Sequence, residues 1–188
     1  MTTRSLLIII SGNPGAGKTT LGKKIAKKFN LPLISRDNIK EALFDSLGIK
    51  DRDWSTKLGA ASYKVMYRMI ESLLISGQSL IVESNFSPKF DDQIFQNLQA
   101  KYHFLSMQLF CFADKHTLLK RFKNRWESGE RHPGHADHQD YDEIKDVIIR
   151  DVHQPLDLEG KIAKIDTTDF SAINYDQIFT AIKSLIIK

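Results

Sequence analysis

The feature that most constrains this chain is a glycine-rich segment near its N-terminus, Gly12-Asn13-Pro14-Gly15-Ala16-Gly17-Lys18-Thr19. Its fixed positions match the pattern G-x-x-x-x-G-K-[ST], in which backbone N–H groups surround phosphate oxygens. Apolar residues 6–10 precede it, and Leu21, Ile25 and Phe29 follow at the spacing of one helix face. The segment therefore predicts a buried strand, a phosphate-binding loop and a helix in succession.

The residue types of this segment suit the phosphates of a nucleotide. Glycine reaches backbone angles that other residues avoid, and the helix that follows directs its positive dipole end toward the same point. Lys18 is expected to reach the β- and γ-phosphates of ATP, and the Thr19 hydroxyl is expected to ligate Mg²⁺. The predicted nucleotide-binding residues of this segment are Gly12, Asn13, Pro14, Gly15, Ala16, Gly17, Lys18, Thr19 and Thr20.

Further along the chain, strand patterns alternate with helix patterns. Strands are predicted at 6–10, 31–35, 80–82, 104–112 and 162–165, and helices at 21–29, 36–47, 56–76, from 88, 114–127, 142–152 and 175–187. The long helix is predicted to face the core with Leu58, Ala61, Val65, Met69 and Leu73. This alternation predicts an α/β fold of the P-loop NTPase type, a five-stranded parallel sheet between two helix layers. We expect one domain over residues 1–188 with a short lid at about 128–141.

Two carboxylates fall at the carboxyl ends of predicted strands, where ligands of such sheets bind. Asp37 follows the second strand and is positioned to accept the proton of an attacking hydroxyl, or else only caps the next helix. Glu83 ends the third strand; it would hold Mg²⁺ through water, orient an acceptor, or form a plain salt bridge.

Three arginines bracket the predicted lid. Arg121 and Arg125 are four residues apart and share a helix face, and Arg131 lies within the loop. Guanidinium forks match phosphate oxygens, so Arg125 and Arg131 are predicted to stabilise the transferring charge as the loop closes and excludes water. The alternative for any one of them is an ordinary surface residue.

The same loop carries evenly spaced histidines, His132, His135 and His138, with Asp137 and Asp140 between them. Imidazole and carboxylate groups bind zinc, but this spacing matches no zinc pattern and no thiolate lies nearby. Contacts to the acceptor or to phosphate, and a plain polar lid, remain as alternatives.

The composition limits the compartment and the partners that we expect for this protein. The single cysteine, Cys111, rules out an internal disulfide and suits a reducing compartment. The apolar run at 6–10 is too short to span a bilayer, so we expect a cytoplasmic protein with no membrane partner.

A net charge of +4 is low for a dedicated nucleic-acid binder, although Lys23, Lys24, Lys27 and Lys28 cluster on the first helix. That cluster is either a solvated face or a patch for a phosphate backbone.

Taken together, the motifs resemble a family, the small P-loop phosphotransferases grouped as AAA-type ATP-binding domain kinases. Polynucleotide 5′-kinases, chloramphenicol phosphotransferase, zeta-toxin-like kinases and gluconate or shikimate kinases lie near it. The resemblance spans roughly residues 5–131 and rests on Gly12–Thr19, Ser35–Lys40, Val82–Phe86 and the series Arg121, Arg125, Arg131.

This resemblance implies roles for individual residues. Asp37 matches the general base of the polynucleotide kinases, and Lys40 stands where they have an acceptor-binding arginine. Residues 83–85, Glu-Ser-Asn, stand where they have Asp-Thr-Asn, which puts Asn85 beside the acceptor. Because lysine cannot grip a phosphate bidentately, a nucleic-acid acceptor is disfavoured.

The sequence thus predicts a Mg·ATP-dependent phosphotransferase acting on a hydroxyl of a small molecule. The predicted catalytic residues are Lys18, Asp37, Arg125 and Arg131, the acceptor contacts are Asp37, Lys40, Glu83 and Asn85, and the metal residues are Thr19 and Glu83. Arg121 and Thr167 are predicted to bind the nucleotide, with adenine near residues 166–168. Two alternatives remain, a polynucleotide or RNA 5′-hydroxyl kinase and a non-catalytic nucleotide-binding switch.

Overall fold

The computed structural model describes residues 4–129, 131–135, 141–150 and 153–186. Within them the chain forms five strands, seven α-helices and two short 3₁₀ helices, Pro133–His135 and Phe170–Ala172. The strands are β1 (Leu6–Gly12), β2 (Leu33–Ser35), β3 (Leu80–Glu83), β4 (Leu105–Phe112) and β5 (Lys161–Asp166). The helices are α1 (Lys18–Phe29), α2 (Arg36–Leu47), α3 (Arg52–Ile75), α4 (Pro88–Tyr102), α5 (Lys115–Glu127), α6 (Tyr141–Arg150) and α7 (Tyr175–Ile186).

The strands form one sheet in the order β2-β3-β1-β4-β5, and every neighbouring pair is parallel. The predicted five-stranded parallel α/β fold is therefore confirmed. This order places β3 beside both β1 and β2, so Glu83 pairs in register with Ile10 on one side and Ser35 on the other. The carboxyl ends of three strands thus meet beside the glycine-rich loop.

Apolar side chains cover both faces of the sheet. Successive residues of β1 alternate between them: Ile8 packs into a cluster with α1, α5 and α7, and Ile9 packs into a second cluster with α3 and α4. Every residue of β1 is buried, as expected for a central strand between two helix layers. These two clusters hold the strand ends, and hence the loops that follow them, in fixed positions.

Helix α3 differs from its predicted form in two ways. It begins at Arg52 rather than at residue 56, because the Asp51 side chain accepts a hydrogen bond from the Trp54 N–H at 2.8 Å and caps it. Its buried face is also displaced by one position: Val65 and Met69 are 41% and 43% exposed, and the buried residues are Ser55, Leu58, Gly59, Ser62, Met66, Ile70 and Leu74.

The predicted stripe is borne out at Leu58 and Leu73 and is wrong at Val65 and Met69, because the buried face also contains small and polar residues. Ser62 donates to the Gly59 carbonyl at 2.7 Å, which satisfies its hydroxyl inside the helix and allows it to be buried. A pattern of apolar residues does not mark Ser55, Gly59 and Ser62 as buried. Gly59 lies on the buried face, where α3 packs against α2.

Smaller differences concern element ends. β2 begins at Leu33, two residues late, and α1 begins at Lys18, inside the phosphate-binding motif. Ser87 and Pro88 start α4 as predicted, with serine at the N-cap and proline in the first turn. Tyr141, assigned to the lid, is the first residue of α6.

Throughout the part of the chain that the structure describes, no helix combines the length and apolar character needed to span a membrane.

Candidate active site

The phosphate-binding loop takes a conformation that requires glycine at both ends. Gly12 has φ +127°, and a Cβ there would lie 1.9 Å from the backbone oxygen of Cys111 on β4. Gly17 has φ +70° and forms the N-cap of α1, so the loop turns directly into the helix. The N-terminus of α1 therefore opens into the space above the loop, where a helix favours anions.

Lys18 lies within this loop and is buried. Its Nζ donates to the carbonyls of Gly12 at 3.1 Å and Asn13 at 2.9 Å, which holds the ammonium close to the loop backbone. Burial lowers the pKa of Lys18, while the negative charge of Glu83 acts against that shift. The ammonium is thus a partly desolvated cation facing the same space as the loop N–H groups.

The two predicted metal residues are in direct contact. Oε2 of Glu83 accepts hydrogen bonds from the hydroxyls of Thr19 at 3.1 Å and Ser35 at 2.8 Å. Two hydroxyls and a buried carboxylate make an all-oxygen donor set, which suits Mg²⁺. These residues fit the cation that the sequence predicts, and the contact with Glu83 orients the Thr19 hydroxyl.

Asp37 lies in the first turn of α2, whose N-cap is Ser35, so it does not cap the helix. Both of its oxygens contact guanidinium groups: Oδ1 accepts from Arg36 Nη1 at 3.0 Å, and Oδ2 accepts from Arg131 Nη1 at 2.8 Å. Burial alone would raise the pKa of Asp37, but the charges of Arg131 and Arg36 outweigh it and hold that pKa far below its usual range. Asp37 is therefore a fixed carboxylate at neutral pH.

Residues 131–135, which we call the lid segment, lie against α2. Besides the contact of Arg131 with Asp37, His135 Nε2 lies 2.9 Å from Glu41 Oε1, and His132 stacks on Phe44 at a centroid distance of 5.5 Å. A Cβ on Gly134 would come within 2.5 Å of the Phe44 ring. The lid segment is thus packed closely onto one face of α2.

The histidines of the lid segment act in this packing. His135 is buried, and burial, helped by the charge of Arg131, lowers its pKa to about 3, so its imidazole is neutral and Nε2 donates to Glu41. His138, Asp137 and Asp140 lie outside the described residues. Among the residues that are described, no three His, Cys, Asp or Glu side chains form a metal-binding group.

Arg121 joins α5 to the loop after β5. Its Nη2 donates to the carbonyls of Thr167 at 2.8 Å and Thr168 at 3.0 Å, and its guanidinium lies 4.2 Å from the Phe170 ring centre. Nη1 is buried and has no hydrogen-bond partner among the described residues. Thr167 is fully buried and its hydroxyl donates to the Phe112 carbonyl, so its side chain is used inside the fold.

One cavity of about 610 Å³ brings most of the predicted residues together. Its lining includes Pro14, Gly15, Gly17, Lys18, Thr19, Thr20, Asp37, Lys40, Glu83, Asn85, Arg121, Arg125 and Arg131. Gly12, Asn13, Ala16 and Thr167 do not line it; the first three belong to the glycine-rich segment, and Asn13 and Ala16 are buried there. The lining also contains Arg36, Glu41 and His135, of which sequence reasoning gave no role to the first two.

A phosphate-binding loop at the carboxyl edge of this sheet, with a lysine, a carboxylate and arginines in one cavity, defines a P-loop protein of the kinase type. A family model described as "AAA domain" matches residues 7–148, and the chain belongs to this family of P-loop kinases. Membership implies use of a nucleotide. The predicted family is confirmed.

Individual relatives agree with this assignment. A solved structure of a candidate kinase from Chloroflexus aurantiacus is 37% identical, with a TM-score of 0.87 over 98% of both chains. A shikimate kinase from Rhodopirellula baltica is 24% identical over 93% of this chain and 87% of its own. A cytidylate kinase from Pyrobaculum islandicum is 43% identical over 44 residues, and this chain spans only 24% of its length.

Proposed function

We propose that this protein transfers the γ-phosphate of Mg·ATP to a hydroxyl group of a small-molecule acceptor. The observation that carries the proposal is the ionised Asp37, held by two arginines in the cavity that also contains Lys18. A carboxylate in this cavity supports the proposal, because an attacking hydroxyl needs a group that accepts its proton. The kinase descriptions of the relatives support the reaction class.

In the proposed reaction, the acceptor oxygen forms a bond to the γ-phosphorus as the bond from that phosphorus to the bridging oxygen breaks, and ADP leaves. The acceptor proton passes to Asp37. Because the transition state is loose, this proton moves late, and a carboxylate of low pKa is sufficient. Lys18 and the loop N–H groups bind the phosphates, and Arg125 and Arg131 stabilise the charge on the transferring group.

Thr19 and Glu83 would hold Mg²⁺, Thr19 through its hydroxyl and Glu83 through water. When bound, the cation neutralises charge on the β- and γ-phosphates. The nucleotide base would lie beside Arg121 and the loop after β5, near the predicted residues 166–168. Since the Thr167 side chain is buried, we expect the ring of Phe170 rather than Thr167 to face the base.

The test is ADP release from Mg·ATP with a panel of acceptors, comparing the wild type with Asp37→Asn. The panel contains sugars, sugar acids, phenicol and aminoglycoside antibiotics, nucleosides and 5′-hydroxyl oligonucleotides. We expect one acceptor class to raise turnover well above hydrolysis and Asp37→Asn to lower kcat by about 10²- to 10⁴-fold. ATP affinity should be unchanged, because Asp37 contacts the acceptor. Asp53→Asn, an exposed position on α3, is the matched control.

Equal slow hydrolysis in the wild type and in Asp37→Asn, with no acceptor effect, would contradict the proposal and favour the nucleotide-binding switch. Turnover restricted to oligonucleotides, with a steep salt dependence, would favour the polynucleotide kinase instead.

A further inference from the structure

Asn85, the predicted acceptor contact between β3 and α4, lies between two buried residues. Asn85 is exposed and lines the cavity, whereas Ser84 and Phe86 are buried. Phe86 packs edge-on against Phe95 of α4, with ring centres 5.1 Å apart. Ser84 donates its backbone N–H to the Ile10 carbonyl at 3.2 Å. The direction of the Asn85 side chain therefore depends on how firmly these neighbours are held.

Two tyrosines of α3 hold this segment. Tyr63 and Tyr67 are one turn apart on the helix, and their rings stack at a centroid distance of 6.1 Å. The Tyr63 hydroxyl lies 2.9 Å from Ser84 Oγ, so one of the two hydroxyls donates to the other. Tyr67 donates to the Asp91 carboxylate, which also accepts from the Ser87 N–H at 2.6 Å. The segment 84–87 is thus tied to α3 at both of its ends.

The Tyr63 ring is itself held in place. The Arg36 guanidinium lies 5.1 Å from its centre, in addition to the contact with Tyr67. Burial raises the pKa of Tyr63, so its hydroxyl stays protonated at neutral pH. Arg36 also donates to Asp37, the proposed base. Tyr63 therefore contacts both the residue that holds the base and the residue that precedes the acceptor contact, although it does not line the cavity itself.

The hydroxyl of Ser84 depends on this tyrosine. Ser84 is 5% exposed, and its Oγ has no other hydrogen-bond partner among the described residues. Without the Tyr63 hydroxyl, Oγ would stay unpaired in a buried place or turn toward the cavity and shift the next residue. We propose that Tyr63 is a positioning residue of the active site, whose hydroxyl fixes Ser84 and thereby the direction in which Asn85 meets the acceptor. This inference rests on the proposed function.

The first arm of the test measures kinetics with the acceptor that gives the highest turnover in the panel. Tyr63→Phe keeps the ring contacts and removes only the hydroxyl. We expect KM for the acceptor to rise about 3- to 10-fold and kcat to change by less than about twofold, because Asp37 stays in place. Tyr102→Phe removes a hydroxyl that donates to Glu71 at 2.8 Å, away from the cavity, and is the matched control.

A double-mutant cycle separates positioning from a general effect on the fold. If Tyr63 acts through Asn85, then Tyr63→Phe should cause no further loss of acceptor kcat/KM once Asn85→Ala is present. A loss of equal size with and without Asn85→Ala would show that Tyr63 acts by another route, and it would overturn the proposal.

The second arm needs no acceptor. Isotope-labelled protein saturated with Mg·ADP is studied by NMR, and the backbone order parameter of Asn85 is compared among the wild type, Tyr63→Phe and Tyr102→Phe. We expect Asn85 to be as rigid as the sheet in the wild type and in Tyr102→Phe, and to be more mobile in Tyr63→Phe. If this is observed while no acceptor is phosphorylated, the positioning of Asn85 by Tyr63 stands and only the proposed function is contradicted.

Two further results would overturn the positioning role and leave the proposed kinase function intact. One is an acceptor KM that is the same in Tyr63→Phe as in an active wild type. The other is an Asn85 order parameter that Tyr63→Phe does not change.

Discussion

Glu83 shows how far the role of a single residue can be predicted from the sequence. Its place at a strand end left two specific roles open, Mg²⁺ binding and acceptor binding. In the structure it is 5% exposed, and its Oε2 accepts from Thr19 and Ser35. The contact with Thr19, the residue predicted to ligate Mg²⁺, favours the metal role, and the contact with Ser35 is one that no sequence pattern predicts.

At this scale we predict the effect of Glu83→Gln. The amide keeps the size of the side chain and removes its charge, so the apparent affinity for Mg²⁺ should fall about 10- to 100-fold. The measurement is the dependence of ADP formation on Mg²⁺ concentration. Glu41→Gln, which alters a carboxylate of the same cavity that contacts His135, should leave this dependence unchanged. If Glu83→Gln leaves the Mg²⁺ dependence unchanged and raises KM for the acceptor, Glu83 binds the acceptor and not the cation.

Helix α2 is the element that organises the acceptor side. Asp37, Lys40, Glu41 and Phe44 recur three or four residues apart and share one face. The carboxylates and Phe44 receive the lid segment, and Lys40 faces α3. The sequence placed Asp37 and Lys40 in the site. It gave no role to Glu41 or Phe44, because their function comes from residues more than 80 positions away.

At the element scale we predict that docking of the lid segment weakens in acid. The pKa of docked His135 is about 3, and in an undocked lid it would return to its ordinary value near 6.5. Below about pH 6.5 the undocked form binds the proton more readily, so docking loses stability, by about 2 kcal/mol at pH 5. Above pH 6.5 the imidazole is neutral in both forms, and no loss occurs.

Hydrogen exchange of residues 131–135 at pH 5 and pH 7, corrected for intrinsic rates, measures this effect. Protection should fall at pH 5 in the wild type. His135→Gln, which cannot titrate, should show a smaller change between the two values, and that remaining change reports Glu41, the neighbouring carboxyl group whose pKa is raised by burial. A wild type as well protected at pH 5 as at pH 7 would contradict the assignment of a neutral docked His135.

For the whole molecule, stability depends on the central strand. β1 is buried on both sides, with neighbours β3 and β4 beside it and helices on both faces. The edge strand β5 is mostly exposed; Ile162 is 50% exposed. The sequence anticipated a buried first strand from its unbroken apolar run, but it did not indicate which strands flank it.

At this scale, Ile9→Ala should lower the free energy of unfolding by about 2–5 kcal/mol, because it removes packing in a fully buried site and leaves a cavity. Ile162→Ala, the same change on the exposed edge strand, should cost less than about 1 kcal/mol. Guanidinium chloride unfolding measures both. Equal losses would mean that the edge strand contributes as much packing as the centre.

The sequence by itself determined the features that depend on neighbours along the chain. The glycine spacing from Gly12 to Lys18 predicted the phosphate loop, and the alternation of patterns predicted a parallel sheet, since both are local properties of the backbone. Only the tertiary structure decided the strand order that joins Ser35 to Glu83, the face of α3 that is buried, and the approach of Tyr63 to Ser84. These contacts link distant residues, and their energies depend on how every element packs, which no local pattern records.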